Sequence, residues 1–360
     1  MPLVAHNGLP TFARLREEGQ IVLDPGRAAH QDIRELHIGL LNMMPDAALA
    51  ATERQFYRLV GESNPIAQFY MHPFTLPELP RGDRARAHIE RYYDGFDKLR
   101  EEGLDALIIT GANVTHPDLS LEPFWEPLIG VIDWALDSVT SVLCSCLATH
   151  AVLQFRYGQS RRPLGYKRWG VFSHQVTELH HPLVNDVNTR FDVPHSRFND
   201  ISRAQFEAAG LRVLAASEAA GVHLAVSGDG FRVVFFQGHP EYDTISLLKE
   251  YKREVTRYAA GARGDYPPFP EHYFGLQVRA LLDEYRGRLL RALARGEPLP
   301  EFPEALIAPQ LPNTWHDTAE AIVGNWVGKV YQTTNQDRRL VFMDGVDPQD
   351  PLGLGGWVGR

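Results

Sequence analysis

The chain is poor in cysteine and contains no long apolar run. Its 360 residues include two cysteines, Cys144 and Cys146. Residues this close in sequence do not normally form a structural disulfide, so we expect reduced thiols in a cytoplasmic protein. No stretch approaches the roughly 20 apolar residues that cross a bilayer, and residues 1–12 lack the apolar core of a secretory signal. We therefore expect no membrane association.

A strong positive charge is also lacking. The 36 Lys and Arg residues are outnumbered by 45 Asp and Glu residues, which gives a formal net charge of −9. Nucleic-acid binding needs clustered Lys and Arg to neutralise phosphates, so we expect no nucleic-acid partner. The short basic stretches at residues 81–86 and 161–168 suit a small phosphorylated cofactor better than a polymer. The 44% hydrophobic and 22% charged composition is that of an ordinary globular protein.

The first half of the chain alternates apolar runs with helical patterns. The apolar runs are residues 36–42, 66–72, 104–110 and 139–145, and the helical patterns between and after them include residues 47–60, 124–138 and 147–157. This alternation predicts βαβ units and an α/β fold with a mostly parallel sheet and helices on both faces. Shorter apolar runs at residues 211–217, 221–227 and 232–237, separated by turn residues, predict a smaller antiparallel part.

These patterns divide the chain into five segments. We expect an N-terminal arm, an α/β domain with the candidate site, an inserted helical and Pro-rich segment, a C-terminal helix that packs on the α/β domain, and a flexible tail. Their bounds are residues 1–34, 35–260, 261–313, 314–345 and 346–360. Within the inserted segment, helical spacing predicts a charged amphipathic helix over residues 276–293.

Cys146 lies where the apolar run at residues 139–145 meets the helical pattern at residues 147–157. This is the position of a nucleophile elbow, in which a sharp turn exposes the nucleophile at the top of the sheet. The helix N-terminus favours a thiolate, and the next backbone N–H can help to bind an oxyanion. The flanking glycines of the Gly-x-Ser-x-Gly version are missing, and a free cysteine is more often a small buried hydrophobe, as we interpret Cys144. Cys146 is the candidate nucleophile.

A second candidate pair, His239 and Glu241, follows the apolar run at residues 232–237. Glu241 can accept a hydrogen bond from one imidazole nitrogen while the other faces sulfur, which is the arrangement of an oriented base. The alternative is a turn whose His and Glu are solvated. A metal site at Cys144, Cys146 and His150 is not expected, because a structural zinc site needs four ligands.

Ordered motifs over residues 9–332 resemble a known family. They are Leu41-Asn-Met-Met-Pro45, Ile109-Thr-Gly-Ala112, Cys146, Gly170-Val-Phe172, Pro194-His-Ser-Arg-Phe198, Gly238-His-Pro-Glu-Tyr-Asp243 and Asn325-Trp326. The set resembles the homoserine O-acyltransferases of methionine biosynthesis, in the branch related to class I glutamine amidotransferases. The resemblance implies a flavodoxin-like fold and a ping-pong reaction. Succinyl-CoA would acylate Cys146, and the hydroxyl of L-homoserine would then attack the thioester, with His239 as base and Glu241 orienting it.

The resemblance also implies substrate contacts at Lys167, Ser196 and Arg253. Arg253 can hold an amino-acid carboxylate bidentately, Lys167 can do so as a point charge, and Ser196 can donate or accept a hydrogen bond. The alternative interpretation is two surface charges and a capping serine. The resemblance further implies an acyl-CoA co-substrate, no bound cofactor and a homodimer.

The chain departs from the family pattern in three places. Residues 46–51 contain none of the lysines common there in relatives and are two residues longer, so a contact to the oxyanion or to a succinyl carboxylate must come from elsewhere. Thr115 occupies the position that the family associates with acyl-donor choice, with Gly for succinyl-CoA and Glu for acetyl-CoA. Thr does not repel a carboxylate, which favours succinyl-CoA. The segment at residues 265–313 is longer than usual and is expected to cover the site or an oligomer surface.

Several alternatives remain open from the sequence. They are acetyl-CoA as donor, serine as acceptor, and a glutamine amidotransferase-type hydrolase. The hydrolase would keep the same three candidate residues but needs an ammonia-accepting synthase partner, and nothing in the sequence resembles a synthase domain. A non-enzymatic binding module would leave Cys146, His239 and Glu241 unexplained.

Overall fold

The computed structural model describes residues 3–31, 33–63 and 67–355, and within them eleven strands form one sheet. In chain order the strands are β1 (Leu3–Val4), β2 (Val22–Leu23), β3 (Glu35–Leu41), β4 (Gln68–Phe74), β5 (Ala106–Ile109), β6 (Ser141–Ser145), β7 (Arg162–Val176), β8 (Arg190–Asp200), β9 (Arg212–Ser217), β10 (Gly221–Val226) and β11 (Val233–Phe236). Their order across the sheet is β2-β1-β4-β3-β5-β6-β11-β10-β9-β7-β8. Strands from β2 to β11 pair in parallel, and those from β11 to β8 pair antiparallel.

Helices cover the sheet and connect its parallel strands. They are α1 (Pro10–Glu17), α2 (Pro25–Ala28), α3 (Asp46–Ser63), α4 (Asp83–Tyr92), α5 (Phe96–Glu102), α6 (Trp125–Ser138), α7 (Leu147–Tyr157), α8 (Arg203–Ala208), α9 (Ser246–Ala259), α10 (Leu276–Arg295), α11 (Glu304–Ile307) and α12 (His316–Thr333). The helices predicted over residues 47–60, 124–138, 147–157 and 276–293 are confirmed as α3, α6, α7 and α10. No helix in the described ranges is long and apolar enough to cross a membrane.

The central strands have the flavodoxin order. The five central strands lie in the spatial order β4-β3-β5-β6-β11. If these five are renumbered 1 to 5 along the chain, the order is 2-1-3-4-5, which defines the flavodoxin-like doubly wound sheet. The predicted α/β, flavodoxin-like fold is therefore confirmed. Ile66, the first residue of the predicted strand at residues 66–72, lies outside the described residues.

Both faces of the parallel strands are buried, which explains their continuous apolar sequences. In β5, Ala106 and Ile108 belong to one core cluster, whereas Leu107 and Ile109 belong to the other. The first cluster contains residues of α3 and α12, and the second contains residues of α6 and α7. A strand covered on two sides has no polar face, so its sequence reads as an apolar run.

The antiparallel part is larger than the sequence predicted. The strands predicted at residues 211–217 and 221–227 are present as β9 and β10, but the long β7–β8 hairpin was missed. The run at residues 232–237 is antiparallel only toward β10, because β11 pairs in parallel with β6 on its other side. The short strands β1 and β2 were also missed, and they extend the parallel edge.

The inserted segment and the C-terminal helix both pack on the α/β part. Residues of α12 belong to the first core cluster. A third core cluster joins α10 to α9 and β7 through Leu282, Tyr251 and Trp169. Residues 347–355 form successive turns, in which the Asp350 carboxylate accepts hydrogen bonds from the backbone N–H groups of Leu354 and Gly355. The rest of the tail predicted to be flexible, residues 356–360, lies outside the described residues.

Candidate active site

Cys146 occupies the sharp turn between β6 and α7. Its φ of 54° and ψ of −106° lie in a region that non-glycine residues rarely adopt. The turn is fixed by the backbone N–H of Cys146, which donates to the Phe236 carbonyl oxygen at 2.8 Å. The Thr149 hydroxyl donates to the same oxygen at 2.9 Å and to the Cys144 carbonyl oxygen at 3.0 Å. The neighbouring strand thus holds the nucleophile elbow in place.

The two cysteines differ in their surroundings. Cys144 lies within β6 and is fully buried, and burial raises the pKa of its thiol. Cys146 is partly exposed. Cys144 therefore lies in the core, as predicted, and Cys146 is the thiol that a substrate can reach.

The segment with His239 continues β11 next to the elbow. Phe236, the last residue of β11, is paired with Ser145, so the two strand ends lie side by side. The backbone N–H of His239 then donates to the Pro194 carbonyl oxygen in β8 at 2.8 Å. Gly238 lies between Phe236 and His239, and a Cβ atom added to it would lie 2.5 Å from the Val193 Cγ1 atom. Any larger residue at this position would require a neighbouring side chain to move.

His239 and Glu241 form a buried pair. The imidazole Nδ1 lies 2.8 Å from the Glu241 Oε1 atom, and with Nδ1–H as the donor the Nε2 atom is left as the basic nitrogen. That Nε2 atom is buried, and the Cys146 side chain lies close enough to interact with the imidazole. Burial lowers the pKa of His239, but the charges of Cys146 and Glu241 act in the other direction, and the net pKa lies well above its ordinary value. The imidazole is thus placed between the Cys146 side chain and the Glu241 carboxylate.

A cavity of about 260 Å³ opens beside this pair. His239, Glu241, Tyr242, Glu250, Arg253 and Gly111 are among the residues that line it. A Cβ atom added to Gly111 would lie 3.7 Å from the Cys146 Cβ atom, so the cavity wall adjoins the elbow. The cavity is therefore bounded by the candidate base, by an arginine and by the chain next to the candidate nucleophile.

Glu250, on α9, was missed by the sequence analysis. Its Oε2 atom accepts hydrogen bonds from Lys167 Nζ and Ser196 Oγ, both at 2.7 Å. Its Oε1 atom accepts from the Tyr242 hydroxyl at 2.8 Å. Burial raises the pKa of Glu250. The Lys167 charge and these hydrogen bonds together lower it by more, so the net pKa is below its usual range. The spacing of three residues from Arg253, on one face of a helix, is the signal that could have found it.

Of the three predicted substrate contacts, Arg253 lines the cavity, whereas Lys167 and Ser196 bind Glu250, which lines it. Lys167 and Ser196, on β7 and β8, are joined through Glu250, and the Lys167 ammonium also lies 4.2 Å from the centre of the Trp169 ring. Burial lowers the pKa of Lys167 more than the Glu250 charge raises it. The Arg253 side chain is 62% exposed, and its Nε lies 3.5 Å from the Glu254 carboxylate. Arg253 is therefore the more available cation.

Thr115 lies in the loop that leads from Gly111 to α6. Its backbone N–H donates to the Glu122 Oε1 atom at 2.6 Å, and its hydroxyl lies 3.4 Å from each Glu122 oxygen. The N–H of His116 donates to the same Oε1 atom at 2.7 Å. Sequence reasoning missed Glu122, whose buried carboxylate already places a negative charge beside Thr115.

The segment that lacks lysines forms an apolar side of the cavity. Ala47, Ala48 and Ala51 line it, while Asp46 turns away and accepts a hydrogen bond from the Gly82 N–H at 2.8 Å. Lys249 is the cation contributed to this cavity by the first turn of α9. No group of three or more His, Cys, Asp or Glu side chains in the described ranges could hold a metal ion.

Comparison with known proteins gives a consistent picture over nearly the whole chain. The family model described as homoserine O-succinyltransferase matches residues 2–336. The homoserine O-succinyltransferase of Allochromatium vinosum is 75% identical, over 98% of this chain and 99% of its own length. Proteins of the same name from Nitrosococcus oceani and Methylococcus capsulatus are 67% and 66% identical, over 98% of this chain and 99% and 100% of theirs.

The solved structures that the chain matches include two glutamine amidotransferases. The protein from Thermotoga maritima is 9% identical, with a TM-score of 0.46 over 83% of this chain and all of its own. The protein from Methylobacillus flagellatus is 11% identical, with a TM-score of 0.40 over 82% of this chain and 95% of its own. With the family model and the close relatives taken together, the chain belongs to the homoserine O-succinyltransferase family.

Proposed function

We propose that the protein transfers a succinyl group from succinyl-CoA to the hydroxyl of L-homoserine in methionine biosynthesis, through a thioester on Cys146. The close relatives, which align over nearly their full length, are named homoserine O-succinyltransferase. The observation that carries the mechanism is the cysteine at the strained turn, next to a strand end with a buried imidazole–carboxylate pair. This arrangement suits nucleophilic acyl transfer.

In the first half-reaction, the Cys146 sulfur attacks the thioester carbonyl of succinyl-CoA. A bond forms between this sulfur and the acyl carbon, the bond from that carbon to the CoA sulfur breaks, and the proton held by His239 passes to the departing CoA thiolate. The backbone N–H of Leu147, at the start of α7, is our candidate donor to the oxyanion formed in this step. Glu241 keeps the imidazole oriented throughout.

In the second half-reaction, the homoserine hydroxyl attacks the acyl group on Cys146. His239 removes the hydroxyl proton as the new oxygen–carbon bond forms, and the proton returns to the cysteine sulfur as the sulfur–carbon bond breaks. The exposed Arg253 binds the carboxylate of homoserine bidentately. Lys167 and Ser196, already held by Glu250, fix the other side of the acceptor.

The setting of the reaction is part of the proposal. Acyl-CoA acts as a co-substrate that leaves as free CoA, with no resident cofactor, and the protein works as a homodimer in the cytoplasm. Light scattering of the purified protein tests the dimer, and fractionation of cells that express it tests the location.

Intact-protein mass spectrometry tests the function directly. The protein is mixed with succinyl-CoA, and we expect a mass increase of one succinyl group that disappears when L-homoserine is added, with O-succinyl-L-homoserine as the product. Cys146→Ala should show no adduct, whereas the matched variant Cys144→Ala should still show it. An adduct that persists in Cys146→Ala would refute the thioester at this residue.

The same experiment separates the alternatives. Acetyl-CoA in place of succinyl-CoA, and L-serine in place of L-homoserine, should give little adduct and little discharge, respectively. Preference for either would replace the proposed donor or acceptor. Incubation with L-glutamine tests the amidotransferase-type hydrolase, for which ammonia release would be the supporting result.

A further inference from the structure

The loop of residues 111–118 is held on two sides by charged side chains. On the N–H side, Glu122 accepts from Thr115 and His116. On the carbonyl side, Arg161 donates from Nη2 to the His116 oxygen at 2.6 Å and from Nε to the Pro117 oxygen at 3.0 Å. The loop starts at Gly111 against the elbow, so Arg161 is tied to the chain that passes the candidate nucleophile.

A succinyl group on sulfur ends in a carboxylate, which requires a cation in a partly buried site. Three of the cations on this part of the protein are already neutralised. Lys167 is paired with Glu250 at 2.7 Å, and Arg197 is paired with Asp200 at 2.8 Å. On the cavity side, Arg54 is paired with Asp243 at 2.7 Å. These three are poor candidates for a further carboxylate.

Arg161 differs because both its hydrogen bonds go to neutral carbonyl groups. It makes no ion pair with a carboxylate among the described residues, and its Nη1 atom makes no hydrogen bond with them. Arg161 is only 9% exposed, so water screens the charge of its guanidinium poorly. Burial lowers its pKa, while the negative charges of Glu122 and Cys146 act on it in the opposite direction. The guanidinium is thus a buried charge without a carboxylate partner among the described residues, and it is bound to the loop that begins beside the cysteine that would carry the acyl group.

Resting on the proposed function, we propose that Arg161 binds the terminal carboxylate of the acyl group on Cys146 and selects a dicarboxylic acyl donor. The free Nη1 edge receives the carboxylate, and the two carbonyl hydrogen bonds fix the direction of the guanidinium. The oxygens of Glu122 accept hydrogen bonds from the N–H groups of Thr115 and His116, and Glu122 makes no ion pair with Arg161. The assignment also names a cation for the succinyl carboxylate, which residues 46–51 do not provide.

The test is the ratio of kcat/KM for succinyl-CoA to kcat/KM for acetyl-CoA. Arg161→Gln should lower this ratio by about ten- to a hundredfold, through a loss with succinyl-CoA and little change with acetyl-CoA. Arg161→Lys keeps the charge without the fork geometry and should recover part of the ratio. The matched control is Arg156→Gln at the end of α7, where the arginine side chain is 54% exposed and lies 4.0 Å from Asp133. It should leave the ratio unchanged.

The ratio within one variant separates recognition from folding. If Arg161→Gln lowers kcat/KM equally for succinyl-CoA and acetyl-CoA, Arg161 only supports the loop and the proposal is wrong. If the ratio falls instead in Lys249→Gln, the cation is the lysine that lines the cavity, which also overturns the proposal. A wild-type protein that does not react with succinyl-CoA at all would overturn the proposed function itself. That result is distinct from a normal wild type with an insensitive Arg161→Gln variant.

Discussion

Tyr242 lies nearly flat against the imidazole of His239, with ring centroids 4.3 Å apart and planes inclined by 19°. The Tyr242 hydroxyl donates to Glu250, the residue that also binds Lys167 and Ser196. One aromatic ring therefore connects the proposed base with the side chains proposed to bind the acceptor. This connection explains how a base on a loop can keep a fixed orientation.

Replacement of Tyr242 should separate the contribution of its ring from that of its hydroxyl. Tyr242→Phe keeps the stack and should retain most of the acylation rate, whereas Tyr242→Leu removes it and should lower the rate about tenfold or more, because the imidazole loses orientation. Rapid-quench measurement of acyl-enzyme formation gives both rates. Equal rates in the two variants would show that the ring does not position His239.

Glu250→Gln should act mainly on the second half-reaction. The variant keeps the shape of the side chain but removes the charge that balances Lys167, so we expect KM for homoserine to rise about tenfold while acylation by succinyl-CoA stays within about threefold. Glu284→Gln is the control, since that exposed residue on α10 has only a 3.9 Å pair with Arg288. A rise in KM that is matched by an equal loss in acylation would indicate a general structural defect.

The pair formed by His239 and Glu241 should make stability depend on pH. Because the Cys146 and Glu241 charges raise the pKa of His239 above its ordinary 6.5 despite burial, this residue contributes stability below pH 6.5 that is lost as the pH rises through the folded-state pKa. Glu241→Gln removes one of these charges. We expect it to lower the free energy of unfolding by about 1–2 kcal/mol near pH 6, and by progressively less at higher pH.

Urea denaturation between about pH 5.5 and pH 9 measures this dependence. The comparison is between wild type and Glu241→Gln at each pH. Tyr242→Phe provides a control with both charges intact, and its difference from wild type should vary little with pH. A Glu241→Gln effect that grows with rising pH would contradict the sign derived from the raised pKa of His239.

The parts of this protein that sequence could predict are those set by local pattern. Strands β5 and β6 are buried on both faces, so apolar runs marked them, and His239 and Glu241 lie only two positions apart in the sequence. The hairpin of β7 and β8 was missed because its sequence contains Pro163 and several charged residues that find partners only in the folded chain. Glu250 was missed for the same reason, since its bond to Lys167 spans 83 residues.

Thr115→Glu should shift donor preference away from succinyl-CoA. Thr115 already contacts the Glu122 carboxylate. A second carboxylate at this point of the loop would add to the negative charge that repels the carboxylate of a succinyl group. We expect the succinyl-to-acetyl ratio of kcat/KM to fall about tenfold or more. Thr115→Val, which removes the hydroxyl without adding charge, is the control and should change the ratio little. An unchanged ratio in Thr115→Glu would remove this position from donor selection.

Gly238→Ala should displace the loop with His239 while leaving its side chains intact. The added Cβ atom would lie 2.5 Å from Val193 and 2.9 Å from both His195 and His223, so one of these neighbours must move. We expect a loss of about 1–3 kcal/mol in the free energy of unfolding and a lower kcat.

Gly130→Ala is the matched control for this substitution. Gly130 lies within α6, and a Cβ atom added there would meet no atom within 4 Å beyond its chain neighbours and the backbone of its own helix. Because alanine is the better helix former, this variant should gain about 0.5–1 kcal/mol with kcat unchanged. Thermal melting and steady-state assays of both variants give the comparison. If Gly238→Ala melts and turns over like wild type, close packing against β8 does not fix the position of His239.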